Sequence, residues 1–241
     1  MREWKSTPVE TPPVRSLRKA LEGDTVSVIA EVKRSSPSRG AIRLDMESGA
    51  QARAYAAGGA AAISVLTEPR RFGGSIADLA SVRSATGLPM LRKDFHVAES
   101  QLTDARSAGA SAALIIVRAL EPGRLVDLAG HAAEIGLELV FEVRDERELA
   151  LALNAGARII GVNNRNLETL EMDETTVERI LPMIPSSCTA IAESGYSSRE
   201  KVEGAAAAGA DAVLIGSSLS ASAYPEAAVR SVAGVRKAGR G

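Results

Sequence analysis

The sequence predicts an α/β chain closed into a (βα)8 barrel, the TIM-barrel architecture, in a single domain with a short N-terminal extension. Three observations predict it. Eight short aliphatic runs lie at 26–32, 61–66, 89–91, 112–117, 137–141, 158–162, 189–192 and 212–215. Most are continuously apolar rather than alternating, as suits strands of a parallel sheet buried on both faces. The Ala-, Leu-, Glu- and Arg-rich segments between them have helix-forming composition, and strict β–α alternation implies a parallel sheet. An Ala-Gly-Ala phrase recurs before every second run, at Gly59, Gly109, Gly156 and Gly209, with spacings of 50, 47 and 53 residues. A period of about 50 residues is two βα units, and four such repeats fill a barrel of the usual length, about 250 residues.

The elements follow in order. Residues 1–25 are charged and Pro-rich, with no apolar core of a signal peptide, and predict one short helix at about 14–21. Strand 1 begins at 26, which sets the expected division into an extension, 1–25, and a catalytic barrel, 26–241. Helical segments are expected at 47–57, 122–135, 145–154 and 199–208. Each repeat glycine sits just past a helix and just before a strand, where glycine relieves a left-handed C-terminal cap.

Composition bounds the function. With 29 Lys+Arg against 30 Asp+Glu the net charge is -1, which argues against a broad nucleic-acid or membrane footprint. No run reaches 18 apolar residues, so no transmembrane helix is expected. A cytoplasmic protein follows, a monomer or weak homo-oligomer acting on a small molecule. One cysteine, Cys188, and two histidines, His96 and His131, make an internal disulfide impossible and a Cys- or His-based metal site improbable. All three read as structural or surface residues. No dinucleotide fingerprint, P-loop or nucleophile elbow stands at a strand–helix junction.

In such barrels the active site lies at the C-terminal strand ends. There, strand 1 delivers Glu31 and Lys33, strand 3 Lys93, strand 5 Glu142, strand 6 Asn163 with Arg165, and strand 7 Glu193 with Ser194. Alternate strands supply one layer of the barrel interior, so carboxylates and ammonium groups would share a layer. Ions crowded in a partly dry mouth shift one another's protonation, which general acid–base work needs. Gly195 after strand 7, and Gly216 with Ser217 after strand 8, let backbone N–H groups approach an anion, and these loops form the recurring phosphate site of the fold. Ser36, in the loop after strand 1, adds a donor. Two of the three phenylalanines, Phe72 and Phe95, fall in the loops after strands 2 and 3, where they either seal the loops or offer a surface to a planar ring.

At these residues the chain resembles the indole-3-glycerol-phosphate synthase family of tryptophan biosynthesis. The matching segments are IAEVKRSSPSRG (29–40), ISVLTEPRRFGGS (63–75), PMLRKDF (89–95), VFEV (140–143), GVNNRNLETLEMD (161–173), AESGYSSRE (192–200) and AVLIGSSL (212–219). The resemblance implies a cofactor-free lyase that closes, decarboxylates and dehydrates 1-(2-carboxyphenylamino)-1-deoxyribulose 5-phosphate. It implies Lys93 as general acid and Glu142 as its partner and base. Lys33 would orient the carboxylate, and Glu31, Asn163 and Glu193 would position the ketone and hydroxyls. Arg165 and Ser194 would bind substrate, Phe72 and Phe95 would flank the ring, and Gly195, Gly216 and Ser217 would hold the phosphate. Family members carry a longer N-terminal helical extension that helps to cover the barrel top. The short extension here puts closure over the substrate in question, and Trp4 either packs over the mouth in place of the missing helix or is simply exposed.

Three other readings share the barrel. A Schiff-base aldolase would use Lys93 or Lys33 as nucleophile. A phosphoribosylanthranilate isomerase would suit a Cys/Asp pair with the cysteine near strand 1, which has none. A non-catalytic phosphate-ligand binder would have no need of the charged layer.

Overall fold

The computed structural model describes residues 13–240. Eight parallel strands close on themselves: β1 Ser27–Val32, β2 Ala62–Leu66, β3 Met90–Lys93, β4 Ala112–Ile116, β5 Glu138–Val143, β6 Ile159–Asn163, β7 Thr189–Glu193 and β8 Ala212–Ile215. Closure is made by β1, which pairs with β2 on one side and β8 on the other. The helices that return the chain are α1 Ser48–Ala57, α2 Ile76–Ala85, α3 Glu99–Ser107, α4 Pro122–Glu134, α5 Glu146–Asn154, α6 Thr175–Ile180, α7 Arg199–Ala207 and α8 Pro225–Val232. Among the described residues no helix is long and apolar enough to cross a membrane.

The two-residue period of each strand divides the core. Outward-facing Val28, Ile63, Ile115, Phe141, Ile160 and Val213 join one cluster with helix residues such as Tyr55, Leu79, Leu128 and Val202. Inward-facing Ile29, Leu91, Val140 and Ile191, all on odd strands, join a second with Ala62, Ala112, Leu114, Ile159 and Leu214. Two positions further along each odd strand the same inward face carries Glu31, Lys93, Glu142 and Glu193. An aliphatic layer therefore underlies the charged one, on the same four strands.

The repeat glycines do what their spacing predicts. Gly59, Gly109, Gly156 and Gly209 have φ between 83° and 97°. At each, the next residue's N–H donates to a carbonyl five residues back, as Ala157 does to Ala152. A fifth turn of this kind stands at Gly136 (φ 64°), before β5, where Leu137 N–H donates to the Ala132 carbonyl. Ile135 and Leu137 replace the alanines there and hide it from the repeat.

The N-terminal helix is shorter than expected, Leu17–Ala20, and lies at the floor of the barrel. Leu17 and Leu21 are buried with the inward-facing cluster. The Glu138 carboxylate, at the start of β5, accepts from Ser16 Oγ and Leu17 N–H, each at 2.6 Å. These residues of the extension thus close the end opposite the strands' C-termini. Trp4 lies outside the described residues. The C-terminal segment meets them: Val26 N–H donates to Val235 O (2.7 Å) and Lys237 N–H to Asp24 O (2.9 Å). Arg240 donates to Cys188 O (2.7 Å) and to Asp211 (2.8 Å).

Candidate active site

A cavity of about 360 Å³ opens at the C-terminal strand ends. At its base Lys93 Nζ lies 3.1 Å from Glu142 Oε2 and 2.8 Å from Glu193 Oε2. Across the barrel Lys33 Nζ lies 3.2 Å from Glu31 Oε1, and Ser64 Oγ donates to Glu31 Oε2 at 3.3 Å. All three glutamates are at most 4% exposed. Beneath Glu31 the backbone is pinned, because its carbonyl accepts from Tyr55 Oη (3.2 Å) and Ser220 Oγ (2.9 Å).

Burial and charge act against each other here. Burial penalises the Lys93 ammonium, but Glu193, Glu142 and Glu31 outweigh it and hold the group above its ordinary range. Burial pushes the Glu193 carboxyl up, to about 7, against the pull of Lys93. Its Oε1 is buried without a hydrogen-bond partner. The layer therefore combines a lysine held cationic with a buried carboxyl that holds its proton more tightly than an ordinary carboxyl does.

All fourteen residues singled out from the sequence line this cavity, though several also hold local structure. Asn163 Oδ1 accepts from Arg165 N–H (2.9 Å), and the Arg165 guanidinium donates to Leu170 O (2.7 Å) within its own loop. Ser36 is buried in a small hairpin that pairs Ser35–Ser36 with Gly40–Ala41, where its Oγ accepts from Arg39 N–H (3.2 Å). Ser194 has φ 66°, left-handed without being glycine, and its carbonyl accepts from Asn164 Nδ2 at 3.3 Å. Gly195 follows with φ 94°. Gly216 leads into a short helix, Ser217–Ala221. Phe95 is 40% exposed at the rim, and Lys33 Nζ stands 5.7 Å from the centroid of the Phe72 ring, within cation–π range.

Other residues of the cavity escaped sequence reasoning. The even strands contribute Leu66, Leu114, Ile116 and Leu214, an apolar wall between the charges. The loops add Glu68, Arg71 and Leu167. Behind Lys93, Arg92 donates to Thr67 Oγ1 (3.0 Å) and Asp94 Oδ2 (3.1 Å), and Asp94 Oδ1 accepts from Phe95 N–H (2.9 Å). That clamp explains why β3 runs on to Lys93 through a charged residue. His96, next along, is buried with Nδ1 2.8 Å from Leu114 O, and burial lowers its pKa to about 4. His131 pairs at the surface with Thr103 (2.9 Å), and Cys188 is a buried residue whose Sγ donates to Ala157 O.

Fold and site together define a (βα)8-barrel enzyme whose ionised groups gather at the C-terminal mouth. Over residues 2–232 the chain matches the family described as indole-3-glycerol phosphate synthase, and it belongs to that family. It is 49% identical over 227 residues to the indole-3-glycerol phosphate synthase of Streptomyces griseus, covering 94% of this chain and 84% of that one. Synthase 1 of Streptomyces coelicolor is 50% identical over the same coverage. The Mycobacterium avium protein is 46% identical, again with 94% and 84% covered. Among solved structures, a mutant tryptophan synthase alpha-subunit from Pyrococcus furiosus superposes with TM-score 0.66 at 17% identity, over 88% of this chain and 99% of that one. Thiamine phosphate pyrophosphorylase from the same organism gives TM-score 0.67 at 15% identity, covering 90% and 96%. These two share the fold.

Proposed function

We propose that this member of the family converts 1-(2-carboxyphenylamino)-1-deoxyribulose 5-phosphate to indole-3-glycerol phosphate, carbon dioxide and water, with Lys93 as the general acid. The observation that carries the reading is the ion-paired triad of Lys93, Glu142 and Glu193 at the base of the cavity. In the first step the ring carbon that bears the carboxylate attacks the ketone, and Lys93 delivers its proton to the ketone oxygen. Loss of carbon dioxide restores the aromatic ring. In the last step the new hydroxyl leaves as water with acid assistance, and Glu142 takes the proton from the neighbouring carbon. A lysine held protonated by two carboxylates suits the acid. It disfavours the Schiff-base alternative, which needs a free amine.

The remaining residues are assigned the roles that the family resemblance implies. Lys33 orients the substrate carboxylate, and Glu31, Asn163 and Glu193 position the ketone and hydroxyls. Arg165, Ser194 and Ser36 bind substrate, and Phe72 and Phe95 flank its ring. Gly195, Gly216 and Ser217 present backbone and hydroxyl donors to the phosphate. Contact between ring carbon and ketone supplies the proximity contribution, and charges preset against the apolar wall supply the electrostatic one. The enzyme is taken to act in the cytoplasm as a monomer or weak homo-oligomer.

Incubation with the carboxyphenylamino-deoxyribulose phosphate should generate indole absorbance and fluorescence. Lys93→Ala should lower kcat on the order of 1000-fold, within the range of a lost general acid. Folded wild-type protein that forms no indole would refute the function. Full activity in Lys93→Ala would refute the role alone.

A further inference from the structure

Two cavity carboxylates sit where only a glycine lets them sit. Gly161 is in the middle of β6, its φ is not left-handed, and no turn requires it. It faces inward, between Ile159 and Asn163 on the same face. Glycine in a strand interior is unfavourable, and such a position often marks close approach of another group. The approaching group is the Glu193 head. A Cβ on Gly161 would stand 2.2 Å from Glu193 Oε1 and 3.2 Å from its carboxyl carbon. The next nearest atom, Val140 Cγ1, is 3.4 Å away. The same device recurs across the barrel. β1 pairs with β8 up to Ala30 and Ile215, and Gly216 follows that pair. A Cβ there would stand 2.3 Å from Glu31 Oε1.

We infer that Gly161 is a positioning residue, and that Gly216 is a second one besides any contact with phosphate: each lacks a side chain so that one carboxylate head can lie flat against the neighbouring strand. This rests on the acid–base reading of the layer for its catalytic meaning, but not for its geometry. At Gly161 the consequence is specific. The glycine offers no donor to Glu193 Oε1, which stays buried and unpartnered, while Oε2 is turned to Lys93. A methyl group at 161 would push the head up toward the cavity and out of line with Lys93.

The test is a double-mutant cycle on Gly161 and Glu193, read by thermal unfolding and by kinetics. Alanine for glycine in a strand is ordinarily stabilising. Gly161→Ala should instead lower the melting temperature of the native protein, and should raise it, or leave it unchanged, in a Glu193→Ala background. Should Gly161→Ala alone fail to fold, Gly161→Ala/Glu193→Ala should fold. An equal drop in both backgrounds, or a double variant that also fails to fold, overturns the inference. These readouts stand even if the wild type forms no indole, an outcome that would defeat the proposed function separately. With an active wild type, Gly161→Ala should lower kcat by on the order of 100-fold, as a displacement of about 1 Å can, and leave KM nearly unchanged. The limb of the kcat/KM profile reporting Glu193 should move to lower pH as its head becomes solvated. Unchanged kcat and pH profile would overturn the positioning role.

Discussion

At the scale of single residues, the charged layer was legible because inward-facing positions alternate and because ions at strand ends stand out from apolar runs. Glu31, Lys93, Glu142 and Glu193 share a layer for that reason. Leu114, Ile116 and Leu214 were not legible, since a continuously apolar strand does not declare which of its residues face inward. Gly161 was only half legible for a related reason: a glycine inside a strand marks a close approach, but that the approaching group is the Glu193 head of β7 is not recorded in β6 itself. His96 supplies a prediction at this scale. Its folded pKa, about 4, lies below the unfolded value of about 6.5, so its contribution to stability is complete above pH 6.5 and is lost as the pH falls toward 4, at up to about 1.4 kcal/mol per unit. His96→Leu should be less stable at pH 7 by about 1–2 kcal/mol, having lost the bond to Leu114 O. It should also show a shallower decline in urea-unfolding free energy between pH 6.5 and 5. Parallel declines in the two proteins would show that another group titrates.

Among the elements, the strands and four of the five glycine turns were readable, because a left-handed cap between helix and strand demands the same residue each time. The fifth, at Gly136, differs only in its neighbours. In β3 the apolar run stops at Leu91, yet the strand continues through the charged Arg92 to Lys93. The Arg92 guanidinium is satisfied by Thr67, Asp94 and the Gln101 carbonyl. The N-terminal helix was expected from composition, but its docking at the floor depends on Glu138, more than a hundred residues away. The turns differ in an instructive way. Nothing stands within 4 Å of a Cβ on Gly156, whereas one on Gly209 would meet Arg240 Cγ at 2.5 Å. Gly156→Ala should therefore cost only the left-handed backbone term, about 1–2 kcal/mol. Gly209→Ala should cost more, because Arg240 is held by Asp211 and the Cys188 carbonyl. Denaturant midpoints of the two variants decide it, and equal losses would count against the Arg240 contact.

For the whole molecule, the barrel separates stability from chemistry along its axis. The mouth collects the ions and the cavity. The floor collects Leu17, Leu21, the Glu138 cap and the C-terminal segment. Truncation after Gly234 removes two backbone hydrogen bonds and the Arg240 and Lys237 pairs to Asp211. It should lower stability by about 2–4 kcal/mol. At temperatures well below its own unfolding, the truncated protein should keep wild-type kcat and KM. A raised KM in a protein that remains folded would mean that the floor reaches the mouth.

The lacing of residues 24–26 to 235–237 also bears on how the chain could be rewired. Because the first and last strands of the closed ring are neighbours and the segments flanking them run side by side, the order of the βα units is a circle with no geometrically privileged starting point. A linker joining the two ends, with a new break at a floor-side turn such as Gly136, would leave every loop around the cavity uncut. The circular order, rather than the linear one, is what the mouth requires.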